Sequence, residues 1–272
     1  MKRLISAVLL SAAVAMPTMA QKQKTLGNGY PFTQVPFTSV KISQNTFWGA
    51  RLKAAREVTV PLAFSKCESE HRYKNFEMAA YTLQHPNHPG LDTKEWDVSK
   101  FMGFSFDDTD VYKTIEGASY ILQTYPNKKL KAYIDSVLDV VAAAQEPDGY
   151  LYTARTINPK HPHQWSGNKS HELYNLGHMV DAACAHYQAT GSTKFLNIAK
   201  RYADCVVKEV GPKPGQVTIV PGHQIAEMAL ARLYTLTGEK MRLSICSTIV
   251  ARLISATHIL RVRLLSWSRK RR

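Results

Sequence analysis

The 272-residue sequence predicts a mainly α-helical chain whose helical hairpins form an incomplete toroid. Apolar residues recur at helical spacing in successive segments, which pair across short turns of about four residues. Loops of roughly 15 to 25 residues separate the pairs. A faint repeat adds to this. Ala189-Thr-Gly-Ser-Thr-Lys-Phe-Leu, after one helix, is echoed by Leu236-Thr-Gly-Glu-Lys-Met-Arg-Leu after another. The long loops fall at one end, where a cleft is expected, and a closed ring of this kind needs more pairs than these.

The elements follow in order. Residues 31–50 are extended and turn-rich, and Val35-Pro-Phe-Thr-Ser-Val-Lys-Ile alternates apolar and polar side chains. Such a pattern suits a strand or a segment lying over a surface. A first helix is expected over residues 50–67, with Leu52, Ala55, Val58, Leu62 and Phe64 as its apolar stripe. Pro86, Pro89, Gly90 and Gly103 make 83–105 a long loop. Thr109 and Asp110 start the next helix ahead of Val111, Ile115, Ala118 and Tyr120. Its partner spans 128–145, with Leu130, Tyr133, Ile134, Val137, Leu138 and Val141 on one face. A second pair covers 172–190 and 194–210, and a third begins near Gln224 and reaches Leu236. Ala182, Ala183, Ala185, Ala226, Ala229 and Ala231 let these helices approach closely.

The ends differ from the body. Lys2 and Arg3, an apolar run from Leu4 to Met16 and small residues up to Ala20 read as a signal peptide over 1–20. The run is too short to span a bilayer. The mature chain then begins near Gln21, is secreted or periplasmic, and has no membrane partner after cleavage. Of the net charge of +14, nine positive charges lie between Lys240 and Arg272, where there is no acidic residue. Without them the rest carries about +5, so the body is not a nucleic-acid-binding surface. The body therefore runs from 21 to 240. Residues 241–272 read as an aberrant basic tail, from a reading-frame shift or truncation near Met241, or else as a real arm for an anionic surface. Cys67, Cys184, Cys205 and Cys246 form no C-x-x-C pair and no zinc-site spacing. Cys184 and Cys205 either pair or serve as small buried hydrophobes.

Chemistry-bearing residues gather at the starts of the first helix of each pair. Asp107, Asp108 and Asp110 either cap a helix or face the cleft. His171 and His223 occupy corresponding loop positions, Glu227 lies one turn beyond His223, and His178 and His186 read as helix-face residues. Aromatics beside acids and histidines suit a sugar, whose C–H faces pack on rings and whose hydroxyls bond to carboxylates and imidazoles. A H-E-x-x-H clamp, a G-x-S-x-G elbow and a phosphate loop are all absent. For a two-carboxylate hydrolase the acids are Asp108, Asp110, Glu116, Glu172 and Glu227, and nothing singles out a pair.

Four motifs, Phe106-Asp-Asp-Thr-Asp-Val-Tyr-Lys-Thr-Ile-Glu-Gly, Ala142-Ala-Ala-Gln-Glu-Pro-Asp-Gly-Tyr-Leu-Tyr-Thr, His171-Glu-Leu-Tyr-Asn-Leu-Gly-His and Pro221-Gly-His-Gln, carry a resemblance. From Val35 to Lys240 the chain resembles the β-L-arabinofuranosidases of glycoside hydrolase family 127. The resemblance implies an incomplete (α/α)6 barrel, the N-terminal part of a catalytic domain. It implies retaining hydrolysis of terminal β-L-arabinofuranosyl residues on plant oligosaccharides or polysaccharides. It also implies substrate-binding roles for Phe106, His171 and His223: the histidines bond sugar hydroxyls and Phe106 packs on the ring. The complete family enzyme uses zinc, held by a glutamate and cysteines, one of them the nucleophile. No cysteine of this chain falls in a matching motif. The chain is therefore expected to be an inactive fragment with no catalytic residue and no metal of its own. Two alternatives remain: another (α/α)6 enzyme, an unsaturated-uronyl hydrolase or lyase, and a non-catalytic glycan-binding protein.

Overall fold

In a computed structural model of the chain, the described residues are 35–85, 92–93, 96–97, 101–158, 165, 171–219 and 221–239. The expected signal peptide (1–20), the expected basic tail (241–272) and Cys246 lie outside them.

The described residues are mainly helical, as expected. Residues 35–42 form no strand; a 3-10 turn at Phe37–Ser39 lies over the surface, with the Phe37 ring edge-on to Tyr120 at 4.9 Å. α1 (Phe47–Ala54) starts at Thr46, whose hydroxyl accepts from the Gly49 N–H at 3.2 Å. A π turn over Ala55–Thr59 joins α1 to α2 (Val60–Ser69). This wide turn holds one residue more than a helical turn and shifts the register beyond it. The expected stripe therefore holds only in part: Leu52, Ala55 and Phe64 pack on the core, Val58 and Leu62 are exposed, and Val60 and Cys67 are buried in their place.

α3 (Arg72–Gln84) follows after a single left-handed residue, His71. Residues Asp92–Thr93 and Trp96–Asp97 (β1 and β2) make a two-stranded antiparallel ribbon inside the expected loop. Beyond it come α4 (Asp108–Thr124), α5 (Lys128–Ala143), the short α6 (Thr153–Thr156), α7 (Glu172–Thr190), α8 (Lys194–Glu209) and α9 (Ile225–Thr237). Asn127 caps α5, its side-chain oxygen accepting from Lys129 and Leu130 at 2.9 and 3.1 Å. α7 and α9 both end on a left-handed glycine, Gly191 and Gly238, so the echoed Thr-Gly punctuation is a repeated helix stop.

Two layers result. α4, α7 and α9 lie side by side, with α2 against α4. α5 packs against both α3 and α8, and α8 returns onto α7. Between the layers sit Phe76, Val111, Tyr112, Ile115, Ile134, Leu138, Val141, Leu176, Val180, Phe195, Tyr202 and Leu233. Alanines hold α7 and α9 together, and Ala182, Ala183, Ala185, Ala226 and Ala229 are fully buried. Cys67, Cys184 and Cys205 are buried free thiols, so the pair 184–205 is not a disulfide.

Over the middle and later turns of the three inner helices one residue joins them all. The Arg232 guanidinium on α9 reaches Glu116 (3.4 Å) and the Tyr120 hydroxyl (3.5 Å) on α4. It also reaches Asp181 (3.2 Å) and Gln188 (3.3 Å) on α7. Glu116 additionally accepts from the Tyr120 hydroxyl at 2.7 Å.

His186 is not an ordinary helix-face residue. It is fully buried on α7, and neither ring nitrogen has a hydrogen-bond partner among the described residues. Burial pushes its pKa down to about 4, with Asp135 acting weakly in the other direction. As pH falls from about 6.5 to 4, the unfolded chain gains a proton there that the folded chain refuses, so stability falls across that window. The loss is at most about 3 kcal/mol. His186→Leu is expected to flatten this acid limb in urea titrations at pH 7, 5 and 4. His178, also held down to about 4, keeps its own share. An acid limb as steep in the variant as in the parent contradicts the assignment.

Candidate functional site

The site is built where the inner helices begin. Asn75 on α3 grips the preceding loop in both directions: its amide donates to the Met102 carbonyl at 2.9 Å and its oxygen accepts from the Met102 N–H at 3.1 Å. Arg72, also on α3, bridges Asp107 (3.1 Å) and Asp110 (3.0 Å). Asp107 accepts in turn from the Phe104 N–H at 2.7 Å. These bonds fix Phe104 and Phe106, whose rings stack in parallel at 5.2 Å.

The three aspartates are structural. Asp107 and Asp110 hold Arg72. Asp108 is buried and receives both the Thr153 N–H (2.9 Å) and the Thr153 hydroxyl (2.6 Å). Burial raises its carboxyl to about 7, against those two hydrogen bonds. Asp108 thus ties the start of α4 to the loop after α5. The same loop supplies Tyr150, whose hydroxyl donates to the buried Glu172 at 2.5 Å, and Tyr202 donates to the Glu172 carbonyl at 3.2 Å. His171 is set by these neighbours and by Asn175, whose amide donates to the His171 carbonyl at 2.8 Å.

The three expected binding residues come together. Phe106 and His171 are 4.9 Å apart between ring centroids, and His171 and His223 are 5.9 Å apart. They precede α4, α7 and α9, while Arg232 joins the middle and later turns of the same helices, so these three helices run parallel. Phe106 and His171 are half-buried, and His223 is exposed. Burial, followed by the nearby His223, lowers the pKa of His171. His171 is therefore a neutral imidazole at pH 7, with one donor and one acceptor nitrogen. Its Nδ1 is closed off from solvent and has no partner among the described residues. Two rings for hydrogen bonds beside one for stacking form a wall that fits a polyhydroxyl ring.

Tyr174 was not singled out by sequence. Its ring lies 5.8 Å from His171, 4.8 Å from His223 and 4.6 Å from His178. Its hydroxyl accepts from the Lys113 ammonium at 2.8 Å. The helical spacing of 171, 174 and 178 places them along one face of α7, a signal available in the sequence. Of the remaining acids, Glu116 is bound to Arg232. Glu227 is buried one turn after His223, and burial raises its carboxyl.

Zinc chemistry does not fit the described residues. No group of three or more His, Cys, Asp or Glu side chains among them is arranged to hold a metal ion. Burial pushes the Cys184 and Cys205 thiols up to about 12 and raises that of Cys67. A cysteine that acts as a nucleophile on its own needs the opposite shift. No helix among the described residues is long and apolar enough to cross a membrane.

Residues 39–257 match the family described as β-L-arabinofuranosidase, GH127 catalytic domain. The match continues past the expected limit at Lys240 into the basic tail. A non-reducing end β-L-arabinofuranosidase of Bifidobacterium longum subsp. longum is 40% identical over 155 residues, covering 56% of this chain and 24% of that protein. A solved GH127 β-arabinofuranosidase superposes with a TM-score of 0.72 at 60% identity, over 82% of this chain and 34% of the other. The GH127 β-L-arabinofuranosidase of Geobacillus stearothermophilus T6 gives a TM-score of 0.67 at 32% identity, over 75% and 31%. The chain thus spans about a quarter of the curated relative's length.

Proposed function

The chain belongs to the GH127 β-L-arabinofuranosidase catalytic-domain family, and from that premise we propose that Phe106, His171 and His223 bind a terminal β-L-arabinofuranosyl residue of a plant glycan. The observation that carries this reading is the convergence of one stacking ring and two imidazoles at the starts of three parallel helices. A furanose ring offers a C–H face to Phe106 and hydroxyls to the imidazoles. His171, kept neutral, offers the sugar its Nε2, the Nδ1 being closed off from solvent. The described residues thus supply recognition. They supply no nucleophile, because the acids near the wall are engaged in structural bonds or buried and the thiols are raised by burial.

Isothermal titration with methyl β-L-arabinofuranoside tests this. His171→Ala and His223→Ala are each expected to weaken binding about tenfold, the worth of one hydrogen bond to a sugar hydroxyl. Binding that is unchanged in both variants removes the wall from the site. The same protein, supplied with zinc and an aryl β-L-arabinofuranoside, is expected to show no turnover. Sustained hydrolysis places a competent nucleophile in this chain and overturns that part of the reading.

A further inference from the structure

We propose that Tyr174, held by Lys113, is the positioning residue that sets His171 and His223 relative to one another; this rests on the sugar-binding reading of that pair. His223 is exposed and makes no hydrogen bond among the described residues. Its neighbours are rings: His171 at 5.9 Å and, closer, Tyr174 at 4.8 Å. Tyr174 touches both histidines, so its ring forms the surface on which the pair rests.

Tyr174 is itself held. The Lys113 ammonium donates to its hydroxyl at 2.8 Å and lies 4.9 Å from its ring centroid. The same ammonium donates to the Thr109 hydroxyl at 3.1 Å, one turn earlier on α4. Thr109 is fully buried at the start of α4, three residues after Phe106. The chain Thr109–Lys113–Tyr174 therefore carries the position of α4 across to α7, and the Tyr174 ring carries it on to His223 ahead of α9. Phe106, His171 and His223 come from segments more than 50 residues apart, and no direct hydrogen bond among the described residues joins their side chains. This polar link supplies the registration. His178, 4.6 Å from Tyr174 on its other side, is held neutral by burial and then by Lys113 and His223, and so adds no competing charge.

Two variants of the full chain separate positioning from simple packing. Tyr174→Phe keeps the ring and loses the hydroxyl; Lys113→Met keeps the stem and loses the ammonium. Both are expected to hold the thermal midpoint within about 2 °C. Both are expected to shift the imidazole NMR signals of His171 and His223, and to weaken methyl β-L-arabinofuranoside binding about tenfold. Lys113→Arg, which restores a cationic donor, is expected to recover part of both effects. Histidine signals identical to the parent's in both variants overturn the proposal. Weaker binding in Tyr174→Phe with unmoved histidine signals also overturns it, making Tyr174 a direct sugar contact. If the parent does not bind the arabinoside and the histidine signals still move, the positioning role stands and the sugar assignment falls.

Discussion

Gly177→Ala is expected to destabilise the chain by about 2 kcal/mol and to weaken sugar binding with it. Gly177 lies on α7 where the start of α9 presses against it. A Cβ built there meets the Ile225 carbonyl carbon at 2.7 Å, the Ile225 Cγ2 at 2.7 Å and the Ala226 nitrogen at 2.8 Å. Two of those atoms are backbone, so no rotamer change relieves the overlap. Alanine is the better helix former by about 1 kcal/mol. That gain is smaller than the cost of parting two helices whose contact is otherwise made of buried alanines. α9 must shift at its first turn, two residues after His223, and the histidine pair opens with it. Urea denaturation and arabinoside titration of the same variant check the two effects together. A variant as stable as the parent shows that α9 yields without cost.

Arg232→Met is the second large effect, with an expected loss of about 3 kcal/mol. Arg232 is only partly exposed, its side chain 28% accessible, and Glu116 and Asp181 are 22% and 16% accessible. Removing the guanidinium leaves two partly buried carboxylates facing each other across the α4–α7 seam. Methionine fills much of the volume, so the loss reports the charge and the hydrogen bonds rather than a cavity. Arg232→Lys keeps the charge and cannot reach four acceptors on two helices at once. An intermediate stability is expected for it. The denaturation midpoints should rank parent, lysine variant, methionine variant; a methionine variant level with the parent shows that the hub is structurally idle.

Much of this architecture is legible in the sequence because it is local. The hairpins from α4 to α9 follow from apolar periodicity, Asn127 from the preference for such residues at helix starts, and Gly191 and Gly238 from their place after the last periodic residue. Phe106, His171 and His223 were reached through the family motifs and corresponding loop positions. What was missed depends on partners far along the chain. α3 has a weakly amphipathic sequence, Arg72-Tyr-Lys-Asn-Phe-Glu-Met, and its purpose appears only when Arg72 and Asn75 meet the loop carrying Phe106. The π turn at 55–59 has no composition of its own and misplaced part of the apolar stripe of the first helix. Asp107, Asp108 and Asp110 read equally well as caps or as chemistry, and only Arg72 and Thr153 decide between them. The Lys113–Tyr174 bond spans 61 residues and the Arg232–Glu116 pair 116, distances over which periodicity carries no information.

The parallel course of α4, α7 and α9 has a consequence for how such a protein can change. Every residue of the sugar wall enters from a loop or a first turn, and the Arg232 hub joins the middle and later turns of the same helices. Exchanges of side chains that only face the cleft can therefore alter which glycan is accepted while the hub, with the bonds of Arg72, Asn75 and Thr153, still keeps the helices in step. Diversification falls to the cleft-facing side chains, and conservation of shape to the bonds beneath them.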